Sequence, residues 1–401
     1  MASLQRTTVS FFGIRNAGKS SLVNAVTAQD ISIVSDVKGT TTDPVKKTME
    51  LLPIGPVVII DTPGIDDEGE LGDLRVQKTL RILETTDIAV LVRDSTCIEC
   101  NAEKELVSMF REHGIPYVIA LNKCDILENV NLNDEKPNVI TVSAKTGQNT
   151  SLLKDKIASL VPNKKSVSFV SDFISQKDIV ILVIPIDSAA PKDRIILPQQ
   201  MAVRDILDAG AVPVCTGVEN LLETLSFLNK KPALVITDSQ AFREVNQALP
   251  SDIPLTSFSI LMARFKGTLE QSLCGIKKLD SLSDGDIILI SEGCTHHRQC
   301  DDIGTVKIPS LCTKYFLKNN PGKKLSFEFS SGGSFPSDLK KYALVIHCGA
   351  CMLNEKEMQF RLSECKKQNI PVTNYGMFLS YVNGILERTL APLKELSPSL
   401  H

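Results

Sequence analysis

Gly13-Ile14-Arg15-Asn16-Ala17-Gly18-Lys19-Ser20 stands directly after the apolar run Thr8–Phe12 and directly before the helix-forming stretch Ser21–Thr27. Strand, glycine-bounded loop and helix in that order predict a phosphate-binding loop. Glycine lets backbone N–H groups approach a phosphate, and the helix N-terminus adds partial positive charge. Gly13, Ala17, Gly18 and Ser21 are therefore expected to line the phosphates. Lys19 is expected to reach the β- and γ-phosphates, and Ser20 to ligate Mg²⁺.

Three more motifs follow, each closing an expected strand. Pro56–Ile60 ends in Asp61-Thr62-Pro63-Gly64, a metal-side carboxylate and a glycine that can sense a γ-phosphate. Pro116–Leu121 ends in Asn122-Lys123-Cys124-Asp125, where one carboxylate can accept both N1–H and N2–H of guanine. Asn138–Val142 ends in Ser143-Ala144-Lys145, whose backbone can meet guanine O6. Adenine presents a donor where guanine presents a carbonyl, so GTP is the expected substrate.

Between the first two motifs lies Lys38-Gly39-Thr40-Thr41-Thr42-Asp43-Pro44. It resembles switch I of the TrmE/Era class of GTPases, and the resemblance assigns Thr41 to Mg²⁺, with Thr40 next to it. The same class implies a monovalent-cation role for Asn16, hence potassium-stimulated hydrolysis. Lys19, Thr41 and Gly64 form the expected catalytic set. Ile65 stands where Ras-like enzymes carry a water-positioning glutamine, so hydrolysis should be slow unless a carboxylate of Asp66–Glu70 or a partner assists.

The rest of the chain is set by its length and balance. At 401 residues, two or three domains are expected. A net charge of −3 argues against nucleic acid or anionic membrane as the main partner. Eleven cysteines are too few for a disulfide scaffold of this length and read as thiols of a reducing compartment. No apolar run nears the ~20 residues of a spanning helix, and no Arg-rich leader is visible. The expectation is a cytoplasmic protein. Cys97 and Cys100 have a metal-like spacing but no second pair nearby, and read as ordinary thiols.

The expected division is a GTPase domain over residues 1–165, a second domain over 166–265 and a third over 266–401, all α/β with mainly parallel sheets. The second alternates strand and helix: Ile179–Ile186, Gln199–Ala209, Val212–Thr216, Glu219–Asn229, Ala233–Thr237, Gln240–Ala248. It carries no catalytic set, which points to assembly. The polar stretch Asp187–Arg194 reads as a solvated crossover loop.

In the third, the strand Asp286–Ser291 delivers Glu292-Gly293-Cys294-Thr295-His296, and the strand Tyr342–Ile346 delivers His347-Cys348-Gly349-Ala350-Cys351. If the two strands are parallel neighbours, both groups meet at one carboxyl edge. Asn354 and Glu357 form a capping-box pattern for the helix that follows. Two chemistries fit three cysteines. One is a Cys₃His zinc site closed by His296 or His347. The other is a 4Fe–4S cluster whose fourth iron takes a histidine, Glu292 or Cys300.

Cys-x-His, fifty residues, then His-Cys-x-x-Cys, joined to a TrmE-like GTPase, resembles the FeFe-hydrogenase maturation GTPases called HydF along essentially the whole chain. The stretch Asp187–Gln199 is similar to that family's second-domain motif, with Ala190 added. The resemblance implies a GTPase, a dimerisation and a 4Fe–4S domain, with Cys294, Cys348 and Cys351 as cluster ligands. It also implies a carrier that takes a 2Fe precursor from radical-SAM maturases of the HydE and HydG type and passes it to apo-hydrogenase. The other readings are a tRNA-modification or ribosome-assembly GTPase with a zinc-stabilised tail, and a generic metal-cofactor chaperone.

Overall fold

The computed structural model describes residues 6–27, 45–64, 79, 81–127, 138–161, 167–186, 195–293, 302–332, 334–351 and 353–394. It divides into two compact units, Met1–Lys164 and Lys165–His401.

In the first unit, strands β1 (Thr7–Phe12), β2 (Val45–Leu51), β3 (Gly55–Asp61), β4 (Ile88–Asp94), β5 (Tyr117–Asn122) and β6 (Val139–Thr141) form one sheet in the order β2-β3-β1-β4-β5-β6. Only β2 runs antiparallel to its neighbour. Helices α1 (Lys19–Thr27) and α3 (Thr150–Ser159) share one face with Val9, Phe11, Val57, Ile59 and Val90; α2 (Asn101–Glu112) shares the other with Phe12, Ile60, Ala89 and Leu91. Both faces are covered, which is why β1, β3, β4 and β5 read as apolar runs, whereas the edge strand β2 alternates half-buried and exposed positions.

The second unit holds two four-stranded sheets, each wholly parallel. One has the order β10-β9-β7-β8, from β7 (Ile179–Val183), β8 (Val212–Thr216), β9 (Leu234–Thr237) and β10 (Leu255–Ser257). Its helices are α4 (Leu197–Asp208), α5 (Leu221–Phe227) and α6 (Phe242–Ala248). The other has the order β12-β11-β13-β14, from β11 (Ile287–Glu292), β12 (Ser326–Ser331), β13 (Tyr342–His347) and β14 (Val372–Asn374). Helix α7 (Phe258–Phe265) joins them. Its Phe258, Leu261 and Met262 enter the core under the first sheet, and its Ile260 and Ala263 enter the core of the second. Because it gives buried residues to both cores, α7 packs between the two sheets.

The second of these sheets positions the cysteines. After α7 and α8 (Leu269–Ile276), β11 is followed by α9 (Ile308–Asn319), whose Ile308, Cys312 and Phe316 pack with Ile288 and Ile290. β13 is followed by α10 (Glu355–Lys367), whose Met358, Leu362 and Cys365 pack on the opposite face with Leu289 and Val345. Helices leaving neighbouring strands to opposite faces open a crevice at the carboxyl ends, the usual ligand position of an open α/β sheet. The β11–β13 pair is that switch point. Helices α11 (Tyr375–Val382) and α12 (Leu386–Lys394) complete the unit.

Candidate functional site

The phosphate loop runs from β1 into α1 as its sequence requires. Gly13 has φ +151°, and a Cβ there would lie 2.2 Å from the Val92 carbonyl oxygen. Gly18 has φ +85°, and its Cβ would lie 2.2 Å from Asn122 Nδ2. Both positions exclude a side chain. Asn16, exposed at the crest, has φ +58°, a left-handed conformation that asparagine tolerates better than most residues. Ala17 is buried; Ser21 is half-buried in the first turn of α1.

Lys19 is buried and its Nζ donates to the Gly13 carbonyl at 3.1 Å and to Ile14 at 2.8 Å. The ammonium thus sits inside the loop where phosphate oxygens would replace those carbonyls. Ser20 Oγ donates to Asp61 Oδ2 at 2.6 Å, so the two residues assigned to Mg²⁺ already touch between the first turn of α1 and the end of β3. Thr62 fixes the next residue by donating from Oγ1 to Phe11 O at 2.8 Å. Gly64 is the last described residue of that loop. Thr41, Ile65 and Asp66–Glu70 lie outside the described residues.

The base-binding motifs converge at the ends of β5 and β6. Asn122 donates from Nδ2 to Ala17 O at 3.0 Å and accepts from Ala144 N through Oδ1 at 3.0 Å. One side chain therefore fastens the phosphate loop to the Ser143-Ala144-Lys145 loop. Lys123 has φ +66° and reaches Asp94 at 2.6 Å. Asp94 is pushed up by burial but pulled further down by its bonds from Lys123 and Thr96, and ends below the usual carboxylate range. Asp125 is exposed, and buried Ser143 donates from Oγ to its Oδ1 at 2.6 Å. That bond aims the carboxylate; Lys145 is exposed beside it. Neither Asp94 nor the Ser143–Asp125 bond was expected from the sequence, because both depend on contacts between separate strands.

The cysteine crevice is built on β11 and β13, which are parallel neighbours with Ser291 opposite His347. The backbone N–H of Gly293 donates to Cys348 Sγ at 3.1 Å, and that of Ala350 donates at 3.3 Å. A Cβ on Gly293 would stand 2.7 Å from Leu353 Cγ, so the Leu353 side chain packs directly on this glycine. Cys348 and Cys351 are both half-buried. Cys294, His296 and Cys300 lie outside the described residues, and no group of three metal-ligating side chains occurs among the described ones.

His347 was a candidate fourth ligand, and its ring is engaged at both ends. The carbonyl of Cys348, 2.9 Å from Nδ1, can only accept, so Nδ1 carries the proton. Arg361, 3.0 Å from Nε2, can only donate, so Nε2 accepts. Burial, then Arg361, push the imidazole down to about 3. Glu292 is buried at the end of β11, with Tyr375 Oη 3.4 Å from its Oε1. Burial, then Glu292 and Cys348, push the Tyr375 phenol well up. Asn354 caps α10 by accepting from Glu357 N at 2.8 Å, and the Glu357 carboxylate pairs one turn on with Arg361 at 2.8 Å.

Sequence reasoning passed over Lys266. It is 5% exposed, and its Nζ donates to Ala350 O and to Leu353 O, the latter at 2.7 Å. Burial pulls it down to about 8, against the charges of Cys351 and Cys348, which hold it up. It closes an apolar helix, where nothing local announces a contact with residues 84 and 87 positions away.

Residues 8–123 match the model described as 50S ribosome-binding GTPase, residues 169–267 that of the hydrogen maturase F dimerization domain, and residues 270–392 that of the hydrogen maturase F tetramerization domain. Among curated relatives, GTPase Der of Wolinella succinogenes is 32% identical over 169 residues, 39% of this chain and 36% of that protein. The tRNA modification GTPase MnmE of Thermosipho melanesiensis is 32% identical over 171 residues, 42% of this chain and 38% of that protein. The chain thus spans roughly a third of the length of these relatives. Era of Aquifex aeolicus is 17% identical, with a TM-score of 0.36 over 56% of this chain and 99% of that one. No described helix is long and apolar enough to cross a membrane. With a GTPase domain followed by both hydrogen maturase F domains in tandem, the chain belongs to the HydF family.

Proposed function

We propose that this protein is a GTP-switched scaffold that holds a 4Fe–4S cluster on Cys294, Cys348 and Cys351 and delivers a 2Fe unit to apo FeFe-hydrogenase. The observation that carries the reading is the contact between Gly293 N and Cys348 Sγ, which sets the residue before Cys294 against the second cysteine group. The residues present fit a cluster. Two N–H donors already face the Cys348 sulfur, as a thiolate requires. Three thiolates would hold three irons; the fourth iron supplies an exchangeable position at which a second metal unit can dock. Glu292, buried at the end of β11, is the side chain we assign to influence that position, and His347 acts instead as a brace for the Cys348 backbone.

In the nucleotide unit, Lys19 and the loop amides hold the phosphates, Ser20, Asp61 and Thr41 hold Mg²⁺, and Asn16 holds K⁺ against them. Gly64 reports the γ-phosphate. Hydrolysis accompanies partner exchange with radical-SAM maturases and hydrogenase. The chain works as a dimer or larger assembly: β8 is an edge strand with Val212 half exposed, and Phe227 is 73% exposed on the same domain. The cytoplasm is the expected compartment.

The test is activation of apo-hydrogenase by protein purified after co-expression with the maturases. Wild type should activate it and Cys348→Ala should not. Activation by the Cys348→Ala protein at the wild-type level overturns the carrier reading.

A further inference from the structure

The cysteine loop does not rest on its own sheet alone. It rests on α7, from the segment that matches the dimerization-domain model. Cys351 packs against the core that holds Phe258, Leu261 and Met262. A Cβ on Gly349 would lie 3.7 Å from Ser259 Oγ. At the end of α7, Lys266 Nζ bonds the carbonyls of Ala350 and Leu353, one before and one after Cys351. Gln359 of α10 donates to Lys266 O at 2.6 Å and holds that end of α7 in place.

Two features of the loop need such a clamp. Ala350 has φ +53°, a left-handed conformation that an alanine adopts only when its surroundings impose it. A buried ammonium is costly unless acceptors and negative charge surround it. The two carbonyls supply the acceptors, and the flanking cysteine sulfurs, as thiolates, supply the charge. Lys266 and the loop therefore stabilise each other.

We propose that Lys266 is a positioning residue that fixes the Cys348–Cys351 loop and places a buried positive charge beside its thiolates, so that a residue of the dimerization segment shapes and tunes the metal site of the next domain. This rests on the cluster reading above. A cation next to a cluster favours its more reduced, more negative state, so its removal lowers the reduction potential.

Two full-length variants test it, Lys266→Met, which removes donor and charge, and Lys266→Gln, which keeps a donor without charge. Three quantities are read on anaerobically reconstituted protein: iron and sulfide per chain, the reduction potential, and amide hydrogen exchange over residues 349–353 in metal-free protein. GTP binding and a far-ultraviolet circular dichroism spectrum check that each variant is folded. Lys266→Met should exchange at least about tenfold faster in the loop and retain less iron. Lys266→Gln should keep iron and show a more negative potential. Wild-type iron content, potential and exchange in both variants overturn the proposal. If wild type itself takes up no cluster, the cluster reading falls; faster loop exchange in Lys266→Met then still supports the positioning role, and unchanged exchange overturns it.

Discussion

The Gly293 N–H points at the Cys348 sulfur from 3.1 Å, joining the end of β11 to the start of the loop after β13. These residues are 55 positions apart in sequence. The pairing of two parallel strands, in a register that sets Ser291 against His347, is what brings them together. Everything proposed for the metal site grows from that junction.

Guanine selection rests on Asp125, aimed by Ser143. Asp125→Asn should weaken GTP binding by about a hundredfold or more, because two hydrogen bonds to a charged acceptor are each worth roughly 1.5–3 kcal/mol. It should favour a xanthine nucleotide, whose carbonyl can accept from the new amide. Ser143→Ala, which keeps the carboxylate but frees its direction, should cost about tenfold. Fluorescent-nucleotide titration measures all three, and equal GTP and ATP affinity in the wild type would count against the assignment.

Asp94, bonded by Lys123, gives the nucleotide unit a pH dependence of known sign. The folded-state pKa of Asp94 lies below its ordinary value of 3.8. Its contribution is therefore fully present above about pH 4 and is lost as pH falls through the lower folded value. Asp94→Asn should lower the melting temperature of the transition that GTP shifts, by an amount steady between pH 5 and pH 8 and shrinking below pH 4. Calorimetry reads this directly. A difference between the proteins that grows on acidification contradicts it.

Potassium should raise GTP turnover above the rate in sodium, and Asn16→Ala should erase most of that difference. The side chain stands exposed at the crest of the phosphate loop, where a cation could reach both it and the phosphates. Steady-state phosphate release in matched chloride salts decides it. Equal rates in the two salts, or a variant that keeps the difference, would remove Asn16 from this role.

The parts legible in the sequence are those whose signals are local. β1, β3, β4 and β5 lie inside the sheet and so appear as apolar runs, and β1, β3 and β5 each end in a motif with one reading. That β11 and β13 are parallel neighbours, the assumption on which the two cysteine segments would meet, holds. What stayed hidden depends on distant partners. β2 places Lys47 on the same face as Val45 and Met49, which blurs its alternation. The tautomer of His347 is set by Arg361, on the helix after the loop. The apolar helix α7 could be recognised as buried, but nothing in Phe258–Phe265 says that it serves two sheets or that Lys266 reaches the cysteine loop.

The most direct test of the central claim is the metal content and spectrum of protein purified and reconstituted without oxygen. The account predicts about four iron and four labile sulfide per chain, with the visible absorption and reduced-state electron paramagnetic resonance of a 4Fe–4S cluster. Cys294→Ala, Cys348→Ala and Cys351→Ala should each lose it, while GTP binding persists. Glu292→Gln should keep the cluster and change its spectrum or its response to added ligands. One zinc per chain and no labile sulfide would make this a structural site, and the carrier role would fall with it.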